Sequence, residues 1–265
     1  MFRKVLVGYL DADHGVDALA LGRKLARACN APMEVATAPA ADGEDLAAIA
    51  RAHGADLLVL GPSHRAGLGR VVPGATVDRL LADPPCAIAV APPGFGRPAA
   101  EAPHWRPLDG EGEDPGMRVI GVGYDTSPVA TAALEVASEL ALRNSSSLRV
   151  YTVAPKYPNQ ATAAGVPLNS SGPSETAILR DELEKAVRGL PPEVRALPVF
   201  LRGFEADQLT KAAGLGVDLL VLGSRPGGPV KRRLHKSVSN LVLMTSKCPV
   251  LIVPATVAAK VASPA

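Results

Sequence analysis

The chain alternates short apolar runs with amphipathic stretches, most clearly toward its C-terminal end. The runs at 218–222 and 249–253 are apolar at nearly every position and are bounded by Gly and Pro. Such runs predict parallel strands buried on both faces of a sheet, because strands exposed on one face alternate instead. The helical stripe between them consists of Val238, Leu241, Val242 and Met244, preceded by Ser237 as a helix cap. The pattern predicts a strand, a helix and a second strand.

One sequence pattern occurs twice in the chain. The V-G-Y of residues 7–9 recurs at 122–124, an offset of 115 residues, and the D-L-L-V-L-G of residues 56–61 recurs at 218–223, an offset of 162. The difference between the offsets means that the first copy lacks 47 residues that the second copy contains. The missing stretch falls after Ala38. We therefore interpret the chain as a tandem repeat with a shortened first copy.

Strands and helices alternate throughout both copies. In the first copy the pattern predicts strands at 3–10, 33–38, 56–61 and 86–91 and helices at 15–29, 43–53 and 74–83. In the second copy it predicts strands at 118–124, 147–153, 194–201, 218–223 and 249–253 and helices at 128–143, 174–189, 204–214 and 236–246. This alternation predicts an α/β fold of two doubly wound parallel-sheet domains, the first shortened by one helix-strand unit. Such a loss is tolerable only if the missing strand lies at an edge of the sheet.

The helix at 128–143 has the strongest individual signals. Ser127 is a capping residue, and Pro128 stands at the first helical position, where proline is favoured. The apolar stripe of this helix consists of Ala130, Ala133, Leu134, Ala137, Leu140 and Ala141. The stripe predicts that one helix face is laid on the sheet.

Composition divides the chain into four parts. Residues 1–92 form the first predicted domain and residues 117–254 the second. Residues 93–116 are rich in Pro and Gly without periodicity, which is typical of an interdomain linker. Residues 255–265 are interpreted as a flexible tail. The length of a second polar loop at 155–173 indicates either mobility or a lid over the mouth of the sheet.

Charge and composition exclude several classes of protein. A net charge of +2 and 3% aromatic residues argue against nucleic acid or an anionic membrane as a partner. No stretch approaches the roughly 20 apolar residues of a membrane span, and the apolar run near the N-terminus is too short for a signal peptide core. Cys29, Cys86 and Cys248 lie far apart, so they are expected to be buried reduced thiols of a cytoplasmic protein, with no metal site. The histidines are scattered, and no catalytic constellation stands out.

Candidate binding residues collect where parallel strands of the second copy end. Asp125, Thr126 and Ser127 follow its first strand, Gly223, Ser224 and Arg225 close its fourth, and Ser237 and Ser239 begin its last helix. The carboxyl ends of parallel strands share one sheet edge, so these residues are expected to meet there. Amides at a helix N-terminus, with hydroxyls and basic side chains nearby, suit a phosphate group. The alternative, a solvated basic loop with Ser237 as a simple cap, stays open on these residues alone.

These motifs resemble the universal stress protein family. The second copy carries V-G-Y-D-T-S-P-V-A-T-A-A-L at 122–134, G-V-D-L-L-V-L-G-S-R at 216–225 and S-V-S-N-L-V-L-M-T-S-K-C-P-V-L-I-V-P at 237–254. The first copy carries matching stretches at 53–65 and 74–92. The resemblance covers the chain apart from the linker and the tail. It implies a sheet with strand order 3-2-1-4-5.

Nucleotide-binding members of that family carry the pattern G-x2-G-x9-G-[S/T] and an acidic residue after the first strand. On this comparison Asp125, Gly223 and Ser237 match, whereas Pro226 and Lys236 stand where two glycines belong. The resemblance therefore implies a degenerate phosphate loop in the second copy. The set of residues expected to bind a nucleotide is completed by Gly227, Gly228, Lys236 and Val238.

The first copy departs further from the family pattern. It keeps Gly61 and Gly74, but His64 and Ala75 replace the second glycine and the hydroxyl residue. Leu10 occupies the place that corresponds to the acidic Asp125 of the second copy. We therefore interpret the first copy as a structural partner of the second.

Two functions stay open at the level of sequence. The first is a non-enzymatic stress-response module that binds an adenine nucleotide, ATP, in the second domain. The alternative is a family member that binds no nucleotide and acts as a protein-interaction scaffold. An enzyme of the wider adenine-nucleotide α-hydrolase-like group is disfavoured, because the chain has no S-G-G-x-D-S loop.

The resemblance also implies how the domains assemble. Family members pair through their last strands, so residues 87–90 are expected to pair with residues 250–253 inside the chain. A homodimer of the two-domain chain and an unidentified protein partner are further expectations. The shortened first sheet leaves a new edge strand at 33–38, and edge strands need covering.

Overall fold

A computed structural model of the chain describes residues 1–9, 12–37, 43–62, 75–96, 116–155, 175–224 and 237–257. In the first half these residues form β1 (Val5–Tyr9), α1 (Ala12–Cys29), β2 (Met33–Thr37), α2 (Gly43–Ala52), β3 (Leu57–Leu60), α3 (Ala75–Ala82) and β4 (Ala87–Val90). In the second half they form β5 (Val119–Gly123), α4 (Pro128–Asn144), β6 (Ser147–Ala154), α5 (Glu175–Arg188), β7 (Arg195–Arg202), α6 (Glu205–Ala213), β8 (Leu219–Ser224), α7 (Val238–Thr245) and β9 (Val250–Pro254). Every strand and helix predicted from the sequence is present, with its ends shifted by at most three residues.

The nine strands form one sheet in the order β2-β1-β3-β4-β9-β8-β5-β6-β7. Neighbouring strands are parallel within each half, and β4 pairs with β9 antiparallel, with Ile88 opposite Ile252 and Val90 opposite Val250. The second half alone has the order 3-2-1-4-5. The first half has four strands with β2 at the edge, so the missing helix-strand unit belongs to an edge, as the sequence required. The α/β fold with a large, mostly parallel sheet is confirmed.

Both faces of the sheet are covered, which explains the continuous apolar runs. Every residue of β3, β4 and β9 is buried. One face packs against α1, α4 and α5, and the other packs against α2, α3, α6 and α7. Removing this apolar surface from water is the main stabilising contribution, at roughly 25 cal/mol per Å².

Helix α4 is buried over a wider surface than its sequence stripe predicts. All six predicted stripe residues are buried, but so are Val129, Ala132, Val136 and Ser138. The reason is a second packing partner beside the sheet, because the C-terminal ends of α1 and α4 meet. There the amide nitrogen Nδ2 of Asn144 donates to the carbonyl oxygen of Ala28 at 3.3 Å.

Helix α7 is buried over a wider surface than its sequence stripe predicts. Val242 is buried as expected, but Asn240 and Leu243 are buried with it, whereas Val238, Leu241 and Met244 are only half-buried. Val238 and Leu241 still pack against the same core as Val242. Helix α6 lies alongside, joined by a 2.8 Å hydrogen bond between the hydroxyls of Thr210 and Thr245, so α7 packs against α6 as well as against the sheet.

In each half, an aspartate side chain accepts hydrogen bonds from backbone amides at the start of the first strand. The carboxylate of Asp56 accepts hydrogen bonds from the amides of Arg3 and Lys4 at 2.9–3.0 Å. The carboxylate of Asp218 accepts bonds from the amides of Arg118 and Val119 at 2.8 Å. The aspartate of the repeated D-L-L-V-L-G motif is therefore a structural residue in both halves.

The chain stays packed for a few residues beyond β4. Phe95 is buried in the core beneath α1. The buried carboxylate of Asp17, on α1, accepts hydrogen bonds from the amides of Gly94 and Gly96 at 2.9 and 2.7 Å. At the other end of the chain, residues 255–257 form a helical turn, and Val257 packs against the same core. The rest of the predicted linker up to residue 115, the rest of the tail, and residues 156–174 of the predicted second loop lie outside the described residues.

The three cysteines are buried free thiols, as predicted. Burial raises the pKa of Cys29 to about 12 and that of Cys248 to about 11. In the part of the chain that the structure describes, no cluster of His, Cys, Asp and Glu side chains is suited to hold a metal ion. Across the same residues, no helix is both long and apolar enough to cross a membrane.

Candidate functional site

Three predicted segments converge at the carboxyl ends of β5 and β8. They are the turn of Asp125, Thr126 and Ser127 after β5, the end of β8 at Gly223, and the start of α7 at Ser237. Strands β5 and β8 are neighbours in the sheet. The parallel topology therefore places the residues that follow them side by side.

The turn after β5 has a fixed conformation. The Oδ1 atom of Asp125 accepts hydrogen bonds from the amide of Ser127 at 3.1 Å and from its Oγ atom at 2.5 Å. Thr126 adopts a left-handed backbone conformation with φ of 66°. Ser127 caps α4, because its Oγ atom accepts a bond from the amide of Ala130, and Pro128 opens the helix as predicted. The exposed side chains of Asp125 and Thr126 are thus held at the mouth of the sheet.

Gly223 allows the end of β8 to touch the first turn of α4. A Cβ atom at this position would lie 2.5 Å from the carbonyl oxygen of Val129 and 2.9 Å from the amide nitrogen of Ala130. Real Cβ atoms do not approach backbone this closely, so only glycine fits without a shift. The family resemblance predicts that Gly223 belongs to a phosphate loop, and the structure adds this packing requirement.

The start of α7 is joined to the same strand end. Ser237 is the N-cap, and its Oγ atom accepts a hydrogen bond from the amide of Asn240 at 3.2 Å. The Oγ atom of Ser239 donates a 2.9 Å bond to the carbonyl oxygen of Gly223. Val238 opens the helix with its side chain half-buried against the core. Its contribution to a ligand site would therefore be its backbone amide, next to the positive end of the helix dipole.

The described residues include eight of the twelve predicted binding residues. Seven of these, from Asp125 to Ser127, Gly223, and from Ser237 to Ser239, belong to the three converging segments. Ser224 is the last residue of β8, and it lies opposite Pro254 in the register with β9. Arg225, Gly227, Gly228 and Lys236 lie outside the described residues, so their part in the site stays a prediction.

Two hydrogen bonds between β6 and Tyr124 support the turn that follows β5, and they were not predicted from the sequence. The Oγ1 atom of Thr152, on β6, donates to the carbonyl oxygen of Tyr124 at 2.8 Å, and the amide of Tyr124 donates to the carbonyl oxygen of Tyr151 at 2.8 Å. Burial raises the pKa of the Tyr151 phenol, which keeps it neutral. Threonine occurs at matching positions, 37 and 152, of the two copies, and this was the available signal for a supporting role.

The corresponding edge of the first half is largely outside the described residues. This applies to Leu10, to His64 and to Gly74, on which the prediction of a degenerate first copy rests. Gly8 occupies the place that Gly123 has in the second half. A Cβ atom at Gly8 would lie 2.9 Å from Leu60, and one at Gly123 would lie 2.7 Å from Leu222, so the two glycines have the same packing role.

Fold and site together define a doubly wound, Rossmann-like α/β protein whose candidate binding edge lies at a topological switch point. The sequence model of the universal stress protein family matches residues 116–254, just over half of the chain. The chain belongs to the universal stress protein family. A search of curated protein sequences finds no match.

Two solved structures that align with nearly the whole chain agree with this fold. A universal stress protein from Archaeoglobus fulgidus aligns with 15% identity over 95% of this chain and 96% of that chain, with a TM-score of 0.58. A Pseudomonas aeruginosa protein assigned to the same family aligns with 14% identity over 99% of this chain and 98% of that chain, with a TM-score of 0.60. A universal stress protein in complex with cAMP aligns with 26% identity over 52% of this chain and 96% of that chain, with a TM-score of 0.38.

Proposed function

We propose that this chain is a non-enzymatic, cytoplasmic stress-response module that binds an adenine nucleotide, ATP, in its second half. The observation that carries the proposal is the convergence of the Asp125 turn, Gly223 and the N-terminus of α7 at one sheet edge. This edge offers a carboxylate and a helix N-terminus beside each other. A nucleoside and its phosphates need these two kinds of group.

Each group has a distinct role in the proposed complex. Asp125 is exposed and held in position, so it is suited to accept hydrogen bonds from the ribose hydroxyls. The amides of Val238 and Ser239 lie in the first turn of α7, where the helix dipole favours an anion. Arg225 and Lys236 bracket the sequence between β8 and α7, and they would contribute charge-assisted bonds to the phosphates.

A non-enzymatic role is supported by the side chains at this edge. Those that the structure describes are one carboxylate, several hydroxyls and an aliphatic group. The histidine side chain that the structure describes is that of His53, and it pairs with Glu34 in the first half of the chain. A hydroxyl nucleophile activated by a histidine base therefore has no support at the described part of the edge.

One observation favours the alternative, a scaffold that binds no nucleotide. Three of the hydroxyls at the edge make bonds within the protein: Ser127 with Asp125 and Ala130, Ser237 with Asn240, and Ser239 with Gly223. Moreover, Pro226 removes a backbone amide that an intact phosphate loop would offer. The nucleotide would then depend mainly on the α7 amides, Asp125 and the basic residues.

The test is calorimetric titration of ATP into the full chain, preceded by analysis of nucleotide released from freshly denatured protein. We expect wild type to bind ATP and Asp125→Ala to lose at least about tenfold in affinity, because hydrogen bonds to a charged group contribute about 1.5–3 kcal/mol. Lys236→Ala should weaken ATP more than adenosine, since it acts on the phosphates.

The matched control is Asp11→Ala, because Asp11 is the acidic residue that directly follows Leu10 in the first half. This substitution should leave ATP affinity unchanged. Ser127→Ala removes the cap of α4 and the hydroxyl bond to Asp125, but it keeps the Asp125 carboxylate. It therefore distinguishes an effect of the turn conformation on ATP affinity from an effect of the carboxylate itself. Absence of released nucleotide together with no heat at millimolar ATP would retire the nucleotide proposal and leave the scaffold.

A further inference from the structure

Among the described residues, the first half has no counterpart of α5 and β7, the helix and strand at the outer edge of the second half. Helix α5 covers β6 and β7 on one face of the sheet, and β7 pairs with β6 along its whole length. Strand β2 is the counterpart of β6, at an offset of 115 residues. The match extends to backbone detail: Asn30 and Ser145, just before these strands, have left-handed φ angles of 51° and 53°.

Residues at matching positions of β2 and β6 show which apolar surface is exposed when this helix-strand unit is missing. Val150 on β6 is fully buried, whereas Val35, at the corresponding position on β2, is 45% exposed. Leu148 is likewise fully buried, and its counterpart Met33 is only half-buried. The exposed apolar surface of β2 is therefore the surface that a helix covers in the second half.

A groove of about 460 Å³ occupies this place. Its lining includes the apolar residues Ala26, Pro32 and Met33, together with Arg23 and Arg27, which lie one turn apart on α1. In the second half the matching positions hold the uncharged Ser138 and Leu142. We call this surface, together with the free edge of β2, the open edge groove. At these two helix positions the first half is basic, whereas the second half is uncharged.

The edge of β2 also has free backbone groups. The amide of Val5 donates to the carbonyl oxygen of Pro32 at 3.0 Å. In a parallel ladder the bonding groups alternate along a strand, so the N–H and C=O groups of Met33 and Val35 point away from β1. Glu34 lies on the opposite face, where hydrogen bonds from Lys4, and then from His53, lower its pKa. Its charge is thus paired and does not neutralise the two arginines.

We propose that the open edge groove binds an acidic helix-strand segment of another protein, which adds a strand to β2 and lays its helix against Arg23 and Arg27. Strand addition supplies main-chain hydrogen bonds, and the groove supplies side-chain specificity. The acidic character follows from the two exposed guanidinium groups, which pair with no carboxylate among the described residues. This site lies in the first half, so it is independent of nucleotide binding in the second.

A second copy of the chain fits this groove poorly. Antiparallel pairing of two β2 edges about Val35 would keep both α1 helices on the same face of the joined sheet. Each copy would then offer the other Arg23 and Arg27, rather than acidic side chains, on that face, and charge complementarity would be absent. The charge pattern therefore selects a partner of opposite charge.

The experiment measures binding of labelled peptides to the full chain by fluorescence anisotropy. The first probe is the peptide of residues 175–202, which fills the matching place in the second half. The second probe is the same peptide with Lys185→Glu and Arg188→Glu, which makes its helix strongly acidic. We expect the acidic probe to bind at least about tenfold more tightly than the first, and to bind more weakly at high salt.

Variants of the chain locate the binding site. The double variant Arg23→Glu/Arg27→Glu should weaken the acidic probe at least about tenfold, and Lys211→Glu/Lys247→Glu, with the same change of charge elsewhere, should not. Val35→Pro removes an outward N–H at an edge strand, where proline is tolerated, and should also weaken binding. Thermal melts of each variant confirm folding.

Three results would overturn the proposal. The first is an acidic probe that fails to bind, or that binds the Arg23→Glu/Arg27→Glu variant as tightly as wild type. The second is a wild-type dimer that Val35→Pro dissociates, since the groove would then hold a second copy. The third is an acidic probe that binds only after Glu111, Glu113 and Asp114 of the linker are changed to Ser. The linker would then be the acidic segment that occupies the groove in the wild-type chain.

Discussion

The Oγ atom of Ser239 donates a 2.9 Å hydrogen bond to the main-chain carbonyl oxygen of Gly223, sixteen residues away in sequence. This bond joins the first turn of α7 to the end of β8. Gly223 in turn packs against the backbone of Val129 in α4. The candidate site is therefore held together by contacts between three elements, and Gly223 lies at their centre.

Gly223→Ala should destabilise the protein by about 1–3 kcal/mol, the usual cost of overpacking. The added Cβ would lie 2.5 Å from a carbonyl oxygen, and backbone on both sides leaves no flexible atom to move away. Urea denaturation measures the free energy of unfolding. Gly214→Ala is the control, because its Cβ would meet its nearest neighbour at 3.4 Å and should change stability by less than about 0.5 kcal/mol. Equal losses in the two variants would contradict this packing role.

Truncation of matched valines should have unequal effects in the two halves. Val150→Ala should cost about 2 kcal/mol, because about 0.8 kcal/mol is lost per buried methylene-sized group and Val150 is fully buried. Val35→Ala should cost less than half as much, because Val35 is 45% exposed. Urea denaturation of both variants checks the comparison. A large loss at Val35 would mean that β2 is covered in solution.

Cys29 should make stability depend on pH in the alkaline range. Burial raises its pKa to about 12 from an ordinary value of 9.0, so the folded chain keeps a proton that the unfolded chain releases. The contribution is fully present below pH 9 and is lost as the pH rises toward about 12. Urea denaturation at pH 8 and pH 10 should show a steeper fall in unfolding free energy for wild type than for Cys29→Ala. Parallel slopes would show that the thiol is not protonated in this way.

Asp17→Asn should loosen the chain that follows β4. The Asp17 carboxylate accepts bonds from the amides of Gly94 and Gly96, and hydrogen bonds to a charged acceptor contribute about 1.5–3 kcal/mol. Exchange of these amides should therefore be accelerated about tenfold or more, as measured by hydrogen exchange with mass spectrometry. Asp207→Asn, at an exposed position on α6, serves as the control. Unchanged exchange at 94–96 would show that Phe95 burial alone holds this turn.

Much of the candidate site was predictable because it depends on local signals. Ser127 and Pro128 specify a helix start through their own backbone preferences, and Gly223 closes a strand whose apolar run is continuous. The partners of these residues were not predictable in the same way. The contact between Gly223 and Val129, and the bond from Thr152 to Tyr124, join residues that are distant in sequence. Single-sequence periodicity contains no information about such contacts.

The sequence by itself determined the order of the strands and helices, the two copies of the pattern and the place of the missing unit, because periodicity and capping act over a few residues at a time. Only the tertiary structure decided which faces of α4 and α7 are buried, since neighbouring helices compete with the sheet for each surface. It also decided the role of Asp17 and the exposure of Val35. Both depend on which element lies opposite a residue, and for Val35 the physical cause is an element that the first half does not contain.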